Sequence, residues 1–446
     1  MKKYIITSSI LILFLTSCTD RFDENVLQKN GVIAGGNKII KIDSLYGDKG
    51  GIKQFYSAFL SNEKSIYYCG GNWISSDRHQ GQNKEFDFKG YRVIGKINES
   101  GDIAWEQALT DIEGIGGMVQ NSQNDVYVCG NKYENNELRK FIANVSRDGT
   151  IKELNTGSLP ALYTIRSMKH INDNLFIAAG SDNDENSYLM ILRISAMNVE
   201  VVKTVFYENG KYWDISYVEQ INMETYDIVL ACENERSQLF ARKIRLRLNT
   251  TNISTLWEKT ITSDMMQNPH STLTSSVRRG NHAVKIDNEI CIAGYGENDI
   301  AHATGDGYKW KRGLVANLNY NTGEPNWLQT IPYKNTTVGD VKINSILYSE
   351  GNFYVVGQYN STLNNTQLLS YGFAQKISRN GDVSNIQIFG GETEYAYLED
   401  GIILNKKLFL FGYKGRIFRM DFPYSNLTVN STACQAWFMS CNINDF

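Results

Sequence analysis

Short apolar runs of similar composition recur along the whole chain, and this repetition limits the folds that the chain can adopt. Successive runs end 50 to 63 residues apart, about 57 on average. The seven runs are IYYCG ending at Gly70, VYVCG at Gly130, FIAAG at Gly180, IVLAC at Cys232, ICIAG at Gly294, FYVVG at Gly357 and LFLFG at Gly412. A period of this length indicates a repeat protein in which each unit packs against its neighbours.

Each unit contains several β-strands. An apolar segment precedes the run, and a β-rich segment follows it and ends in a tight Ser-Gly, Asp-Gly, Thr-Gly or Asn-Gly turn. A fourth segment comes next, and Trp105, Trp257 and Trp327 lie at about the same point of it. Four strands per unit, seven units and almost no helical periodicity predict an all-β fold, a seven-bladed β-propeller of four-stranded antiparallel blades.

A propeller has to close, because an open ring would expose strand edges. The last unit continues after Gly412 with RIFRMDF, which is predicted to be its third strand, and then with a turn at PYSN. Near the N-terminus, NKIIKIDSLYG resembles the fourth segment of the other units. We therefore predict that Lys38 to Ser44 pairs into the last blade and joins the first blade to the last.

The segments NLNYNTGEPNW and KINESGDIAW each place a turn glycine four residues before a tryptophan. In this they resemble the repeats of quinoprotein-like propellers, which include pyrroloquinoline-quinone dehydrogenases and an outer-membrane assembly lipoprotein. The resemblance implies the propeller fold. The dehydrogenases have eight blades and a vicinal disulfide beside the cofactor, whereas this chain has seven units and no adjacent cysteines. Quinone chemistry is therefore not expected, and no cofactor is predicted.

The N-terminus has the pattern of an export signal. Lys2 and Lys3 precede an apolar run that is too short to span a bilayer, and LTSC follows it. LTSC resembles the lipobox of bacterial lipoproteins, which implies cleavage after residue 17 and lipidation of Cys18. Residues 18–32 are predicted to be a tether and residues 33–446 a single domain with a C-terminal tail. Outer-membrane localisation is expected, on the periplasmic or the cell-surface side. Asp43-Ser44-Leu45 also resembles an O-glycosylation acceptor of Gram-negative envelope proteins.

The charge of the chain argues against one class of partner. The formal net charge is -3, and removal of the two lysines of the signal peptide makes it about -5. Lys and Arg do not cluster, so a nucleic-acid partner is not expected. The predicted partners are a glycan or an envelope protein, and the chain is expected to be a monomer.

The cysteines fall into two groups. Cys69, Cys129 and Cys291 share the strand parity of the repeat and are predicted to be small core residues. Cys434 and Cys441 lie in the segment that we predict to be a C-terminal tail outside the repeat. Because the protein is expected to be exported, a disulfide between Cys434 and Cys441 is predicted.

Signatures of catalysis are weak. The chain has no His-Glu-x-x-His, P-loop, Gly-x-Ser-x-Gly or EF-hand motif, and no metal site is predicted. His170 and His282 lie in first-strand regions and are expected to be hydrogen-bonded packing residues. Asp214 and Asp340 each begin a first strand, which places them at the mouth of the central channel. Two carboxylates can cleave glycosides, although polar residues at strand starts also satisfy loop backbone groups.

Long insertions point to a binding surface. In a propeller the loop between second and third strands and the loop between blades open on the same face, and the insertions of this chain fall there. They carry aromatic and polar side chains suited to stacking on sugars or anchoring a partner. The predicted binding residues are Trp73, Asp77, Arg78, His79, Tyr212, Trp213, His270, His302, Asp306, Tyr308 and Trp310. The tryptophans could equally serve to pack their own loops.

Three functional readings follow from these features. The first is a non-catalytic envelope lipoprotein that binds a glycan, peptide or protein partner on the long-loop face. The second is a polysaccharide hydrolase or lyase with carboxylates at the channel mouth. The third is a scaffold for outer-membrane assembly, which rests on fold analogy alone.

Overall fold

Seven antiparallel β-blades form a ring in the computed structural model, which confirms the predicted seven-bladed β-propeller. First strands of neighbouring blades contact one another, so they lie innermost and surround the central channel. Among the described residues, no helix has the length and apolarity needed to cross a bilayer. The structure describes residues 32–34, 40–46, 52–75, 88–135, 137–182, 184, 186–209, 212–233, 239–250, 253–261, 274–276, 282–298, 310–331, 340–363, 367–390, 394–416 and 434–446.

The blades are numbered in chain order, and their strands are given from the channel outwards. Blade 1 contains β3 (Ile52–Leu60), β4 (Ile66–Ser75), β5 (Phe88–Ile97) and β6 (Ile103–Leu109). Blade 2 contains β7 (Ile112–Gln120), β8 (Val126–Glu134), β9 (Glu137–Val145) and β10 (Ile151–Glu153). Blade 3 contains β11 (Thr164–Asn172), β12 (Leu175–Ser181), β13 (Asn186–Ile194) and β14 (Val199–Asn209). Blade 4 contains β15 (Tyr212–Asn222), β16 (Thr225–Glu233), β17 (Leu239–Arg247) and β18 (Ile253–Ile261).

The remaining blades include the two that receive N-terminal strands. In blade 5 two short inner strands pair with the same second strand; its strands are β19 (Thr274–Ser276), β20 (Ala283–Ile286), β21 (Glu289–Asn298), β22 (Trp310–Asn319) and β23 (Pro325–Ile331). Blade 6 contains β24 (Asp340–Ser349), β25 (Asn352–Leu363), β26 (Gln367–Ser378), β27 (Ile386–Phe389) and, as a fifth strand, β1 (Val32–Ala34). Blade 7 contains β28 (Glu394–Leu404), β29 (Lys407–Arg416), β30 (Cys434–Asn442) and β2 (Ile40–Tyr46). Ile443–Asp445 form a short 3-10 helix.

The repeated glycine lies within the second strand of its blade rather than in a turn. In five blades it pairs with the innermost strand at a β-bulge, where that strand contains one extra residue. A Cβ atom on any of these five glycines would lie closer than 3.0 Å to a backbone carbonyl oxygen of the innermost strand. The glycine therefore recurs because the bulge brings the two backbones close together. The five are Gly70, Gly130, Gly180, Gly357 and Gly412.

In the fourth repeat, the prediction aligned Cys232 with the repeat glycine, and this is wrong by two residues. The bulge of blade 4 follows Ile215, whose partner in the second strand is Leu230, whereas Cys232 pairs with Trp213. Leu230 thus occupies the glycine position. The error arose because Cys232 ends an apolar run of the same length, and run length does not define strand register.

Tryptophans of the outermost strands join neighbouring blades. Each ring packs on a turn glycine of the next blade, and a Cβ atom on that glycine would lie within about 3 Å of the indole. The three rings are those of Trp105, Trp257 and Trp327. Those glycines, Gly149, Gly323 and Gly381, have positive φ angles. Each indole N–H donates a hydrogen bond to a carbonyl of the same turn, over 3.1, 2.9 and 2.8 Å respectively. The turn glycine is required both by its backbone angle and by the ring packed on it.

An N-terminal strand closes the ring, as predicted. β2 pairs antiparallel with β30 and forms the outermost strand of blade 7, in a segment shifted by two residues from the predicted Lys38 to Ser44. Tyr46 occupies the place of the docking tryptophans, and its hydroxyl donates to the carbonyl of Gly101 in blade 1. Ser44 is half-buried on this strand, and its glycosylation stays a prediction.

The C-terminal segment corrects two predictions. Cys434–Asn442 is not a tail but the third strand of blade 7, in place of the predicted RIFRMDF, most of which lies outside the described residues. Cys434 and Cys441 are free and buried, at opposite ends of that one strand. Seven residues of extended chain span about 23 Å, far beyond the reach of a disulfide.

The hydrophobic core is divided among the boundaries between blades. Within the described residues, each of the seven boundaries holds one cluster of buried side chains. Cys69, Cys129 and Cys291 each belong to the cluster shared with the following blade and are at most 1% exposed. Their prediction as small core residues is confirmed. This arrangement leaves the channel and the two ends of the ring for function.

Candidate functional site

The two ends of the ring differ. First strands begin where second strands end, as the pairs Ile52 with Trp73 and Asp340 with Asn360 show. We call this the loop end, because the connections between second and third strands and between blades leave from it. We call the opposite end, which carries the tight turns, the hairpin end.

The loop end receives those predicted binding residues whose backbone is described. Trp73 and Trp310 lie at the loop ends of their strands, as does Tyr212 at the start of β15. The side chains of these residues and of Asp340 lie outside the described part of the chain, as do all atoms of the remaining predicted residues. Those remaining residues are Cys18, Asp77, Arg78, His79, His270, His302, Asp306 and Tyr308.

Trp213 was predicted as a binding residue, and this prediction is wrong. It lies in β15 rather than in a loop and is 0% exposed. Its ring packs against Phe240 with centroids 5.6 Å apart, and the guanidinium of Arg242 lies 4.7 Å from it. The indole belongs to the core between blades 3 and 4. Strand parity explains the error, because Trp213 and Ile215 face the same neighbouring blade.

Charged side chains at the hairpin end pair across blade boundaries. These contacts link blade 1 to blades 2 and 7, blade 4 to blade 5, and blade 6 to blades 5 and 7. The pairs are Arg147–Glu63, Lys407–Glu99, Lys259–Glu324, Lys285–Glu219, Arg379–Asp287 and Lys406–Glu350. Exposed pairs of this kind add little stability each. They connect neighbouring blades at the hairpin end.

The bulges of the innermost strands supply channel-lining residues that the sequence analysis missed. A bulged residue has no partner on the neighbouring strand, and its side chain points in a different direction from that of a regular strand residue. The bulged residues are Tyr56, Gly116, Arg166, Ser216, Asn344 and Glu399, which we call the bulge ring. Each precedes the residue at the repeat glycine position by 13 or 14 residues. That constant spacing was present in the sequence and could have identified them.

Members of the bulge ring have two roles. Ser216 bonds to His282 of blade 5 over 3.0 Å, and Asn344 donates to the carbonyl of Leu398 in blade 7 over 2.7 Å, so both are buried links between blades. Tyr56, Arg166 and Glu399 stay half-exposed. Neighbouring blades cover both faces of each sheet, so half-exposed residues in the middle of an innermost strand face the channel.

Three tyrosines surround Glu399 where blade 7 meets blade 1. Tyr397 and Tyr413 are cross-strand partners whose rings stack 4.8 Å apart at 26°. Tyr56 comes from blade 1, and the guanidinium of Arg92 lies 5.3 Å from its ring. The carboxylate of Glu399 acts electrostatically on all three phenols. We call Tyr56, Tyr397, Tyr413, Glu399 and Arg92 the tyrosine cluster.

Polar side chains of blade 1 lie next to the tyrosine cluster. The hydroxyl of Tyr56 donates to Gln54 over 2.5 Å, and the Gln54 amide contacts the Cys434 sulfur at 3.6 Å. Beside them Lys53 forms an ion pair of 2.7 Å with Glu106. Gln54 pairs with Gly71, two residues before Trp73 on β4. Blade 1 therefore carries both Tyr56 of the cluster and the predicted Trp73, and Tyr56 lies nearer the middle of its strand.

The phenols of the tyrosine cluster stay protonated. Burial raises the pKa of Tyr56, Tyr397 and Tyr413, and the charge of Glu399 adds to the effect. Arg92 acts on the pKa of Tyr56 in the opposite direction without overcoming burial. Neutral phenols donate hydrogen bonds but are poor general bases at neutral pH. This arrangement suits binding better than proton abstraction.

Asp214, His170 and His282 are packed within the ring. Asp214 lies on the innermost strand of blade 4 and is 2% exposed. His170 bonds to the carbonyl of Asp173 at 3.1 Å and contacts the ring of Phe176, and His282 bonds to Ser216, which confirms that both are packing residues. Within the described residues, no group of three or more His, Cys, Asp or Glu side chains is placed to hold a metal ion.

Comparison with protein-family models and with curated proteins gives no match. Among solved structures, the α-L-arabinofuranosidase Arb93a from Fusarium graminearum is 11% identical over 74% of this chain and 94% of its own, with a TM-score of 0.43. The polysaccharide lyase Uly1 is 10% identical over 92% of each chain, with a TM-score of 0.42. A protein of unknown function from Bacteroides caccae is 13% identical over 66% of this chain and 89% of its own, at 0.35. Likeness at this level carries no functional argument.

Proposed function

We propose that this chain is a lipid-anchored envelope propeller that binds a glycan, without cleaving it, at the loop end of the ring. The observation that carries the proposal is the tyrosine cluster, in which aromatic faces, neutral phenols, a carboxylate and a guanidinium meet on half-exposed strand residues. Strands hold these side chains more rigidly than loops would.

The chemistry of a sugar matches this composition. The C–H face of a pyranose packs on aromatic rings, while its hydroxyls both donate and accept hydrogen bonds. Tyr397 and Tyr413 offer ring surface, and phenols have both an apolar face and a polar edge. Glu399 accepts hydrogen bonds and Arg92 donates them. The cluster combines aromatic ring faces with polar groups, as a sugar combines a C–H face with hydroxyls, so we infer that a glycan fits it better than an apolar peptide anchor does.

The raised pKa values of the phenols favour binding over cleavage. A lyase needs a base to remove a proton, and a phenol whose pKa is raised by burial does this poorly. The hydrolase alternative relies on Asp214 and Asp340. Asp214 is almost fully buried, and the side chain of Asp340 lies outside the described part of the chain.

The envelope location rests on the N-terminal sequence. We propose that Cys18 is lipidated and that the predicted tether, residues 18–32, joins the ring to the outer membrane. One lipid-anchored chain would then display its loop end to glycans at the envelope. Radiolabelled palmitate incorporated into the parent and not into Cys18→Ser would support this anchor, and equal incorporation would contradict it.

Glycan binding is tested by substitution in the tyrosine cluster. On a glycan array, Tyr413→Ala and Tyr397→Ala are expected to weaken binding at least about 30-fold, because a central aromatic contact contributes about 2 kcal/mol or more. Tyr413→Phe keeps the ring and should weaken binding less. Changing Trp73 and Trp310 to Ala is expected to abolish binding while leaving the melting temperature within a few degrees.

The matched control is Tyr133→Ala, since Tyr133 is 51% exposed on blade 2 and lies outside the cluster. It should leave binding unchanged. Equal binding by Tyr413→Ala and the parent, with both proteins folded, would contradict the proposed site. Shortened or unsaturated products in the incubation mixture would instead favour the hydrolase or lyase alternative.

A further inference from the structure

Both N-terminal strands enter the ring from the hairpin end. β1 runs parallel to β27, and Val32 pairs with Ile386, the first residue of β27. Because β27 follows the tight turn after β26, Ile386 lies toward the hairpin end. β2 begins in the same way, since Ile40 pairs with Cys441 at the hairpin end of β30. The chain before Val32 therefore reaches the ring from the hairpin end.

The length of the predicted tether restricts where a lipid anchor can lie. Residues 19–31 separate Cys18 from Val32. A polar coil of that length spans about 20 Å on average. An innermost strand of nine residues, such as β3, is about 30 Å long, so the span of the tether is shorter than the height of the ring. We therefore expect an anchor at Cys18 to lie beside the hairpin end.

Apolar side chains are exposed at the hairpin end of blades 3 and 4. Met223, in the turn between β15 and β16, is 84% exposed, and Ile221 just before it is 46% exposed. Met197, in the turn between β13 and β14, is 48% exposed. The two blades are joined here, because the side-chain amide of Asn172 donates to the hydroxyl of Tyr226 over 2.6 Å. We call Met197, Ile221 and Met223 the apolar sector.

Charges around the apolar sector indicate the kind of surface that it can contact. None of the six ion pairs described above at the hairpin end involves blade 3. Asp173 and Glu224 are exposed in the turns of the sector, and Arg247 is exposed at the end of β17. The sector thus presents apolar side chains without an excess of cations. A zwitterionic lipid surface fits this composition better than an anionic one, which attracts clustered Lys and Arg.

We propose that the hairpin end docks on the surface of a zwitterionic lipid bilayer, with the apolar sector in the headgroup region. The inference rests on the lipid anchor proposed above and adds the protein surface that faces the lipid. The tether enters at blade 6, whereas the apolar sector lies across the ring on blades 3 and 4. Two attachments at the same end hold that end against the bilayer. The loop end, with the predicted binding residues, then faces away from the lipid.

The experiment uses the lipidated mature protein on vesicles of phosphatidylcholine and phosphatidylethanolamine that contain a nitroxide-labelled lipid. A fluorescent NBD dye is attached at Met223→Cys or, as the matched control, at Tyr133→Cys, since Tyr133 is 51% exposed at the loop end of β8. The cysteines of the described chain are free and buried, so the introduced thiol reacts selectively. We expect the nitroxide to quench the dye at position 223 at least about threefold more than at position 133.

A second comparison tests the side chains of the apolar sector. With the dye at Met197→Cys, the double variant Ile221→Asp with Met223→Asp should reduce quenching at least about twofold, because carboxylates favour water over the headgroup region. Leu256→Asp is the control, since Leu256 is 39% exposed on the outermost strand of blade 4, and it should leave quenching unchanged. Phosphatidylglycerol in place of phosphatidylcholine should not strengthen quenching.

The remaining outcomes contradict separate parts of the inference. Equal quenching at positions 223 and 133, or stronger quenching at 133, on protein that sediments with the vesicles would contradict the docking and leave the anchor intact. Quenching that the double variant leaves unchanged, or that Leu256→Asp reduces equally, would contradict contact by the apolar sector. Stronger quenching with phosphatidylglycerol would contradict the zwitterionic surface.

Two further results separate the docking from the proposed function. Protein that does not sediment with the vesicles would contradict the anchor, and the docking would be wrong with it. Glycan-array binding is measured on the Cys18→Ser chain, which has no lipid, so its result does not depend on how the ring faces a bilayer. Docking confirmed on vesicles together with no binding on the array would retain the docking and contradict the glycan site.

Discussion

Deletion of residues 19–46 is expected to lower the melting temperature by roughly 5–10 °C, because it removes the outermost strand of blade 7. Ile40, Ile42 and Tyr46 pack against the clusters on either side of that blade, and their burial contributes about 5 kcal/mol. The deletion also removes the hydrogen bond of 2.6 Å from Trp437 to Asp43. Thermal unfolding followed by circular dichroism measures the effect.

Two controls separate closure of the ring from simple shortening. Deletion of residues 19–31, which ends before β1, should leave the melting temperature unchanged. A synthetic peptide of residues 38–48 should restore stability to the longer deletion, whereas a scrambled peptide should not, since only the native register pairs with β30. A 19–46 deletion as stable as the parent would show that the N-terminal strand does not hold the ring closed.

Substitution of Asp227 by Asn is expected to lower the free energy of unfolding by about 3–5 kcal/mol, because it leaves a buried cation unpaired. Asp227 is 1% exposed and accepts two hydrogen bonds from Arg245, at 2.7 and 2.9 Å. It also pairs with Lys243 at 3.0 Å, and Lys243 is itself 2% exposed. The Lys243 ammonium lies 3.5 Å from the ring of Tyr320 in blade 5. Urea denaturation at neutral pH measures the loss.

The effect of Asp227→Asn should depend on pH. Burial raises the pKa of Asp227, but hydrogen bonds from Arg245 and Lys243 outweigh it, so the net pKa is lowered. A carboxyl group with a lowered pKa in the folded state stabilises fully above its unfolded pKa of about 4, and this stabilisation is lost as pH falls through the folded value. The difference between parent and variant should therefore shrink in acid.

Two further variants test whether the stability lost in Asp227→Asn comes from an unpaired buried charge. Glu137→Gln breaks an exposed pair with Arg139 and should cost less than about 1 kcal/mol. The double variant Asp227→Asn with Lys243→Met should recover much of the loss, because no charge remains unpaired. A single variant as stable as the parent at neutral pH would contradict the assignment.

Replacement of Lys169 by Met is expected to stabilise the protein at neutral pH. Because burial lowers the pKa of Lys169, the unfolded chain binds the proton more readily than the folded one. Stability then rises with pH between the folded and unfolded pKa values, and the Met variant should lack that rise. A melting temperature higher by roughly 1–3 °C would show that the buried ammonium destabilises the folded state. A lower melting temperature would indicate a structural role.

Residues at the loop end show where sequence reasoning succeeded and where it failed. The strand order placed Trp73 and Trp310 at the correct end, because strand direction alternates along the chain. The same reasoning put Trp213 on the surface, but its strand parity turns the side chain into the core. Composition could not distinguish these cases, since an aromatic residue near a strand end fits either role.

The tyrosine cluster could not be found from the sequence. Tyr56 lies more than three hundred residues from Tyr397 and Tyr413, and closure of the ring brings them together. A bulge adds one residue to the innermost strand and changes which side chains face the channel. The repeat glycine lies opposite each of these bulges. The reason for its recurrence is the close approach of two strand backbones, which the sequence does not reveal.

The sequence by itself determined the fold class, the number of blades, the closing strand and the core cysteines. These properties follow from local periodicity and turn chemistry, repeated seven times, so each unit carries the same information. Only the tertiary structure decided that β30 is the third strand of blade 7, that Cys434 and Cys441 are too far apart to bond, and that Tyr46 contacts Gly101 of blade 1. Those properties depend on strand register and on contacts between blades, which arise only when blades distant in sequence meet around a common axis.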